Sequence, residues 1–172
     1  MLLRRLVRTL RRGPVTEPAP PAPADAVRAL AAALDASARR RLGRSLALLH
    51  VDGGSCNGCE LELRALGNAV YDLERLGLRF VASPRHADVL VVTGPLTHNM
   101  RNALEQAWAA TPDPRWVLAL GGCAIDGGLF HGGYAVLGGV GEAVPVDLAI
   151  PGCPPPPVEI LTGLRALVEA NA

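Results

Sequence analysis

Strand-length apolar runs alternate with segments of helical period along this chain, and that alternation constrains its fold more than any other feature. The runs are Leu46–Val51, Leu78–Ala82, Asp88–Thr93, Trp116–Leu120 and Val146–Ile150. The third and fourth are apolar at successive positions, not alternate ones, which predicts strands buried on both faces. Helices are expected over 59–76, 96–110 and 158–170. In the first of these, Leu63, Leu66, Val70, Leu73 and Leu76 share one side, and Pro112 and Pro114 stop the second. Buried strands separated by helices predict an α/β domain, a parallel sheet with helices on both faces. Between the last two runs lies a Gly-rich stretch, 121–141, too irregular for an ordinary crossover; long loops of this kind are usually functional.

The chain divides into a leading part, 1–24, and a single domain, 25–172. In residues 1–12, Leu3, Leu6, Val7 and Leu10 fall at helical spacing, with Arg4, Arg5, Arg8, Arg11 and Arg12 mainly between them. Such a segment suits an anionic membrane surface or a partner helix; the plainer alternative is a frayed terminus. Residues 13–24 carry five Pro and read as an extended linker. Asp25 is placed to cap a helix running to about Leu42.

Composition excludes several functions. The 172 residues suit one domain, and with only 3% aromatics the core must be filled by Ala, Val and Leu. All 17 basic residues are Arg, so Schiff-base lysine chemistry and a Walker A phosphate loop are excluded. A net charge of +1 gives no bulk attraction for nucleic acid. The longest stretch without a charged side chain, Gly127–Gly141, holds seven Gly, and falls short of the roughly 20 apolar residues of a membrane span. The arginines near the start break up any signal-peptide core. The expected location is therefore the cytoplasm, where cysteines stay reduced.

The four cysteines carry the chemistry. Cys56 and Cys59 follow the first strand in Gly-Gly-Ser-Cys-Asn-Gly-Cys, Cys123 follows the fourth in Gly-Gly-Cys, and Cys153 follows the fifth in Pro-Gly-Cys-Pro. Each lies just past the carboxyl end of a strand, and in an open parallel sheet those loops share one edge, where ligands bind. The neighbouring glycines let backbone N–H groups approach an anionic centre. A four-thiolate iron–sulfur cluster uses all four cysteines. A dithiol of the thioredoxin kind uses only Cys56 and Cys59, and structural zinc usually shows two paired knuckles where this chain has one. Four unrelated buried cysteines are the remaining alternative.

Other candidates are weaker. Glu60 adjoins Cys59 and is placed either near the cluster or as a solvated acid at a helix start. Arg85 and His86 fall in the loop after the second strand, where a positive group would favour a reduced cluster; a surface turn is the alternative. His50, His86, His98 and His131 could tune a cluster or carry protons, but a lone His is more often just hydrogen-bonded. Gly139-Val140-Gly141 lacks the rest of a dinucleotide fingerprint.

Five motifs then stand in order: Gly-Ser-Cys-Asn-Gly-Cys-Glu, Ser-Pro-Arg-His-Ala-Asp, Thr-Gly-Pro-Leu-Thr, Gly-Gly-Cys-Ala-Ile-Asp-Gly-Gly, and Pro-Val-Asp-Leu-Ala-Ile-Pro-Gly-Cys followed by four prolines. Together, over about 45–167, they resemble the small cluster-bearing subunit shared by respiratory complex I (its 20 kDa, or B, subunit) and membrane-bound [NiFe]-hydrogenases. The resemblance is nearest to the small subunits of formate hydrogenlyase and energy-converting hydrogenases. It implies a flavodoxin-like α/β domain holding one [4Fe-4S] cluster through Cys56, Cys59, Cys123 and Cys153, with electron transfer as its role and no catalytic acid or base. It also implies a complex on the cytoplasmic face of the membrane. The implied partners are a large subunit of the [NiFe]-hydrogenase or complex I 49 kDa type, a ferredoxin-like iron–sulfur subunit, and integral membrane subunits. Complex I subunits carry two adjacent cysteines at the first position, whereas this chain has Cys-x-x-Cys as the hydrogenases do. The resemblance therefore points to a hydrogenase-type complex, with a quinone-reducing complex as the alternative.

Overall fold

The computed structural model describes residues 24–69, 71–74 and 77–170. The basic segment 1–12 and the linker as far as residue 23 lie outside the described residues, as does the side chain of Asp25.

Helix α1 (Ala24–Leu42) turns Val27, Ala31, Leu34 and Ala38 inward at helical spacing. It leads into β1 (Ala47–Asp52), α2 (Gly58–Ala65), β2 (Arg79–Phe80), β3 (Val89–Thr93) and β4 (Leu96–Thr97). Next come α3 (His98–Ala110), β5 (Trp116–Leu120), α4 (Gly122–Asp126), β6 (Val136–Gly138), β7 (Leu148–Ile150) and α5 (Pro157–Ala170). The main sheet is five-stranded in the order β2-β1-β3-β5-β7, and every pair in it is parallel. Counted in chain order, its strands run 2-1-3-4-5, the flavodoxin-like arrangement that the resemblance implies. A separate antiparallel ribbon pairs β4 with β6.

Period-two alternation divides the strand residues between two cores. Leu48, Val89, Val91, Trp116, Leu118 and Leu120 pack under α1, α2 and α5. Leu90, Val92, Val117 and Ala119 pack on the other face with Leu104 of α3, Ala124 of α4, Val140 and Val144. All five residues of β3 and of β5 are buried, which is why both read as uninterrupted apolar runs.

Asp88 pins the start of the sheet. Its carboxylate accepts two bonds from Arg44, at 2.8 and 2.6 Å, and one from the backbone N–H of Ala47 at 2.8 Å. Asp88 is 2% exposed, so Asp88→Ala strands a buried N–H of β1. We expect it to cost about 1–3 kcal/mol in chemical denaturation; Arg41→Ala, on the exposed side of α1, is the control expected near zero.

Several expected boundaries differ. The helix expected to run to residue 76 ends at Ala65. Beyond it the chain folds back in tight turns: the Asn68 side chain accepts from the Tyr71 N–H at 3.1 Å, and Asp72 takes a left-handed φ of 46°. Leu66 and Leu73 are buried all the same, so the core spacing is real but a turn carries it; Val70 and Leu76 lie outside the described residues. The second strand contracts to the edge pair Arg79–Phe80, and the fifth begins at Leu148. Leu96 and Thr97 join the ribbon before α3 begins at His98. The Gly-rich 121–141 stretch holds a five-residue helix, short 3-10 turns and β6.

Candidate functional site

The three cysteine-bearing loops leave the sheet at one edge and are tied to one another there. After β1, the Asp52 carboxylate accepts from the N–H groups of Gly54 and Ser55, both at 2.8 Å, and curls the loop. Burial pushes the Asp52 carboxyl up, but these bonds outweigh it and hold it below the usual carboxylate range. Asn57, with φ 72°, turns the chain into α2, which places Cys59 in that helix's first turn. After β5, the N–H of Gly121 bonds Ile150 O at 2.8 Å and that of Gly122 bonds Gly152 O at 2.9 Å. The loop carrying Cys123 is thereby fastened to the loop carrying Cys153.

All four thiols face a cavity of about 90 Å³ that Ser55, Gly58, Gly94, Gly122, Gly152 and Pro154 also line. Cys56 and Cys153 are exposed, Cys59 and Cys123 half-buried, and all four are free of disulfides. The glycines make the space. At Gly121, with φ 88°, a Cβ would stand 2.7 Å from the Cys59 sulfur. At Gly94, with φ 73°, it would stand 2.5 Å from the Ser55 nitrogen. Among the described residues no three Cys, His, Asp or Glu side chains close on a single-ion site. The four thiols line one common volume, as a multi-iron cluster requires.

The electrostatics fit the same group. Burial pushes the Cys59 thiol up to about 11, and the neighbouring Glu60, Cys123, Cys56 and Cys153 add to the rise. Cys123 is raised by burial, then by Cys153 and Cys56. Thiols that oppose one another's ionisation are stable as thiolates only with cationic charge between them.

Glu60 is no solvated helix acid. It is 7% exposed, accepts from the Thr93 hydroxyl in a short hydrogen bond, and its Oε1 lies 3.6 Å from His50 Nε2. Burial pushes its carboxyl up, yet hydrogen bonding from Thr93 and Ser55 keeps it below the usual range. Its Oε2 is buried without a hydrogen-bond partner. Arg85 and His86 sit on an exposed 3-10 turn, and neither lines the cysteine cavity. His131 bonds the Asp126 carbonyl in the loop after α4 and is exposed. Sequence alone does not single out Thr93; the only signal for it is a hydroxyl closing an otherwise apolar strand beside a glycine.

Comparison with known proteins agrees with this arrangement. The family model described as "NADH ubiquinone oxidoreductase, 20 Kd subunit" matches residues 56–167, which include all four cysteines. Formate hydrogenlyase subunit 7 of Escherichia coli K12 is 46% identical over 132 residues, 77% of this chain and 52% of that protein. The chain thus spans about half the length of that relative. An NADH-quinone oxidoreductase subunit of Geobacter sp. M21 is 45% identical over 114 residues, 66% of each chain. A chain of the membrane-bound sulfane sulfur reductase, an archaeal respiratory membrane complex, superposes with a TM-score of 0.65 at 34% identity, covering 77% of this chain and 71% of its own. Among the described residues no helix is long and apolar enough to cross a membrane. With the family model covering most of the chain and the sheet in the implied order, the chain belongs to the family of the 20 kDa subunit of NADH:ubiquinone oxidoreductase.

Proposed function

We infer that this chain is the electron-transfer subunit of a membrane-associated [NiFe]-hydrogenase-type complex, and that Cys56, Cys59, Cys123 and Cys153 hold one [4Fe-4S] cluster. The observation that carries this is the meeting of four thiols, from three separate loops, around one cavity. Bound there, such a cluster supplies one-electron transfer. The chain's own residues fix its place: the stiff Cys153–Pro157 segment walls one side, and the loops after β5 and β7 lock two ligands to each other. No side chain of this subunit acts as a catalytic acid or base. A dithiol function would leave Cys123 and Cys153, with the glycines that make room for them, without a role.

Electrons enter from a ferredoxin-like subunit and leave to a large subunit related to those of [NiFe]-hydrogenases. The chain sits peripherally on the cytoplasmic face, with the basic segment 1–12 and the Pro-rich linker 13–24 preceding the domain from 25 to 172. The Cys-x-x-Cys spacing at 56–59 and the similarity to formate hydrogenlyase subunit 7 favour hydrogen over quinone as the substrate of the whole complex.

The test uses membranes holding the intact complex. We expect hydrogen evolution from a reduced low-potential dye, nickel in the large subunit, and four iron and four sulfide per copy of this chain beyond those of the other metal-bearing subunits. Quinone reduction without nickel or hydrogen activity would replace the hydrogenase reading with the complex I-like one.

A further inference from the structure

We propose that the four thiols take up their cluster in a fixed order: Cys56 and Cys153, at the mouth of the cavity, bind it first, and Cys59 and Cys123 close on it afterwards. This order rests on the iron–sulfur function inferred above.

The cavity has an open side and a closed one. Of the residues that line it, Cys56, Cys153 and Pro154 are exposed, Cys59 and Cys123 are half-buried, and Gly94 is buried. The exposed cysteines stand on loops, Cys56 in the turn before α2 and Cys153 after β7. The half-buried ones stand on helices, Cys59 in α2 and Cys123 in α4. Glycine backbone hems in both helix thiols. A Cβ at Gly121 would stand 2.7 Å from the Cys59 sulfur, and one at Gly128 would stand 2.9 Å from the Cys123 sulfur. A Cβ at Gly58 would meet the Cys56 sulfur at 3.6 Å, an ordinary contact.

The loops are also tied down, so they do not part to open a second way in. Gly122 N–H bonds Gly152 O at 2.9 Å and joins the Cys123 loop to the Cys153 loop. Gly53 N–H bonds Thr93 O at 2.8 Å, and Thr97 N–H bonds Gly53 O at 3.0 Å, which anchors the root of the Cys56 loop. A bulky group arriving from solvent therefore meets Cys56 and Cys153 before the helix thiols, and thiol reactivity follows access. Once those two bonds are made, the remaining two form within one molecule, at high effective concentration.

Each step is a ligand exchange and moves no electron. The cluster arrives on a carrier that holds it through exchangeable thiolates. The Cys56 sulfur bonds one iron as a carrier thiolate leaves it, and the Cys56 proton passes to the departing sulfur. Cys153 does the same at a second iron. Cys59 and Cys123 then displace the last carrier thiolates in the same way.

The order is tested on the full apo chain, without oxygen, with an excess of a [4Fe-4S] complex ligated by mercaptoethanol thiolates. That complex is achiral, so visible circular dichroism reports only cluster held by the protein. The wild type is expected to gain signal in two phases, a fast capture and a slower closure. Cys59→Ala and Cys123→Ala should keep the fast phase and lose the slow one, whereas Cys56→Ala and Cys153→Ala should lose the fast phase. Brief iodoacetamide treatment of the apo chain, read by mass spectrometry, should modify Cys56 and Cys153 ahead of Cys59 and Cys123. A single phase in the wild type, a fast phase kept in Cys56→Ala or Cys153→Ala, or equal modification of all four cysteines overturns the order and leaves the iron–sulfur function standing. Failure of the wild type to take up any cluster overturns both.

Discussion

Cys153→Ala is expected to empty the cysteine cavity of iron as completely as Cys56→Ala does. The two residues lie far apart in the chain, and Cys153 has no cysteine near it in sequence, so a two-thiol site would not notice its loss. The structure brings its thiol to the same cavity as the other three and fastens its loop to that of Cys123 through the Gly122 N–H to Gly152 O bond. Losing a group that merely supports a ligand costs about 10–100-fold in metal affinity, and losing a ligand should exceed that. Cys123→Ala should behave alike. Both substitutions shorten half-buried or exposed side chains, so the fold should survive and iron and sulfide can be counted on folded protein. Wild-type protein without iron, with a Cys56–Cys59 disulfide and redox activity lost only on replacing Cys56 or Cys59, would establish the dithiol instead.

The sheet was legible because burial on both faces leaves a direct trace. Val89–Val92 and Val117–Leu120 face two cores at once, so no polar residue interrupts them. The cysteines were legible for a topological reason: each follows a strand end, and parallel strands place those ends on one edge. The Glu60–Thr93–His50 network was not legible, because it exists only through register. The pairing of Asp52 with Thr93 across β1 and β3 sets the end of β3 beside the start of α2. Local pattern also assigns an acid at a helix start to solvent, and only the packing of α2 against β1 and β3 buries it. The overlong first helix has a similar cause. Leu66 and Leu73 keep helical spacing to Leu63, and the period of the apolar residues alone cannot separate a continuous helix from turns that return the same side chains to the same core.

The double substitution Leu129→Asp, Tyr134→Asp should leave the isolated fold unchanged and separate this chain from the large subunit proposed above. Leu129 is 91% exposed and Tyr134 fully exposed, with Phe130 and Ile125 partly exposed beside them. These residues follow Cys123 directly, and the loop that carries them is held in shape. The Asp126 carboxylate accepts from the Gly128 N–H at 2.8 Å, and the Asp126 carbonyl bonds His131 Nδ1 at 2.8 Å. An ordered loop that presents apolar side chains to water next to a redox site fits a surface that is dry in the assembled complex. Electron transfer to a large subunit needs that contact close to the thiols, and this loop is where the exposed apolar groups and the thiols coincide. Substitution at fully exposed positions ordinarily shifts stability by about 0.5 kcal/mol or less. A central aromatic anchor of an interface is worth about 2 kcal/mol or more, roughly 30-fold in affinity. The melting curve of the variant should therefore match the wild type, while its co-purification with the large subunit falls at least by that factor. Equal recovery of the partner by the variant would place the electron-accepting subunit on another face, and the cluster would then have to deliver its electron across a longer gap.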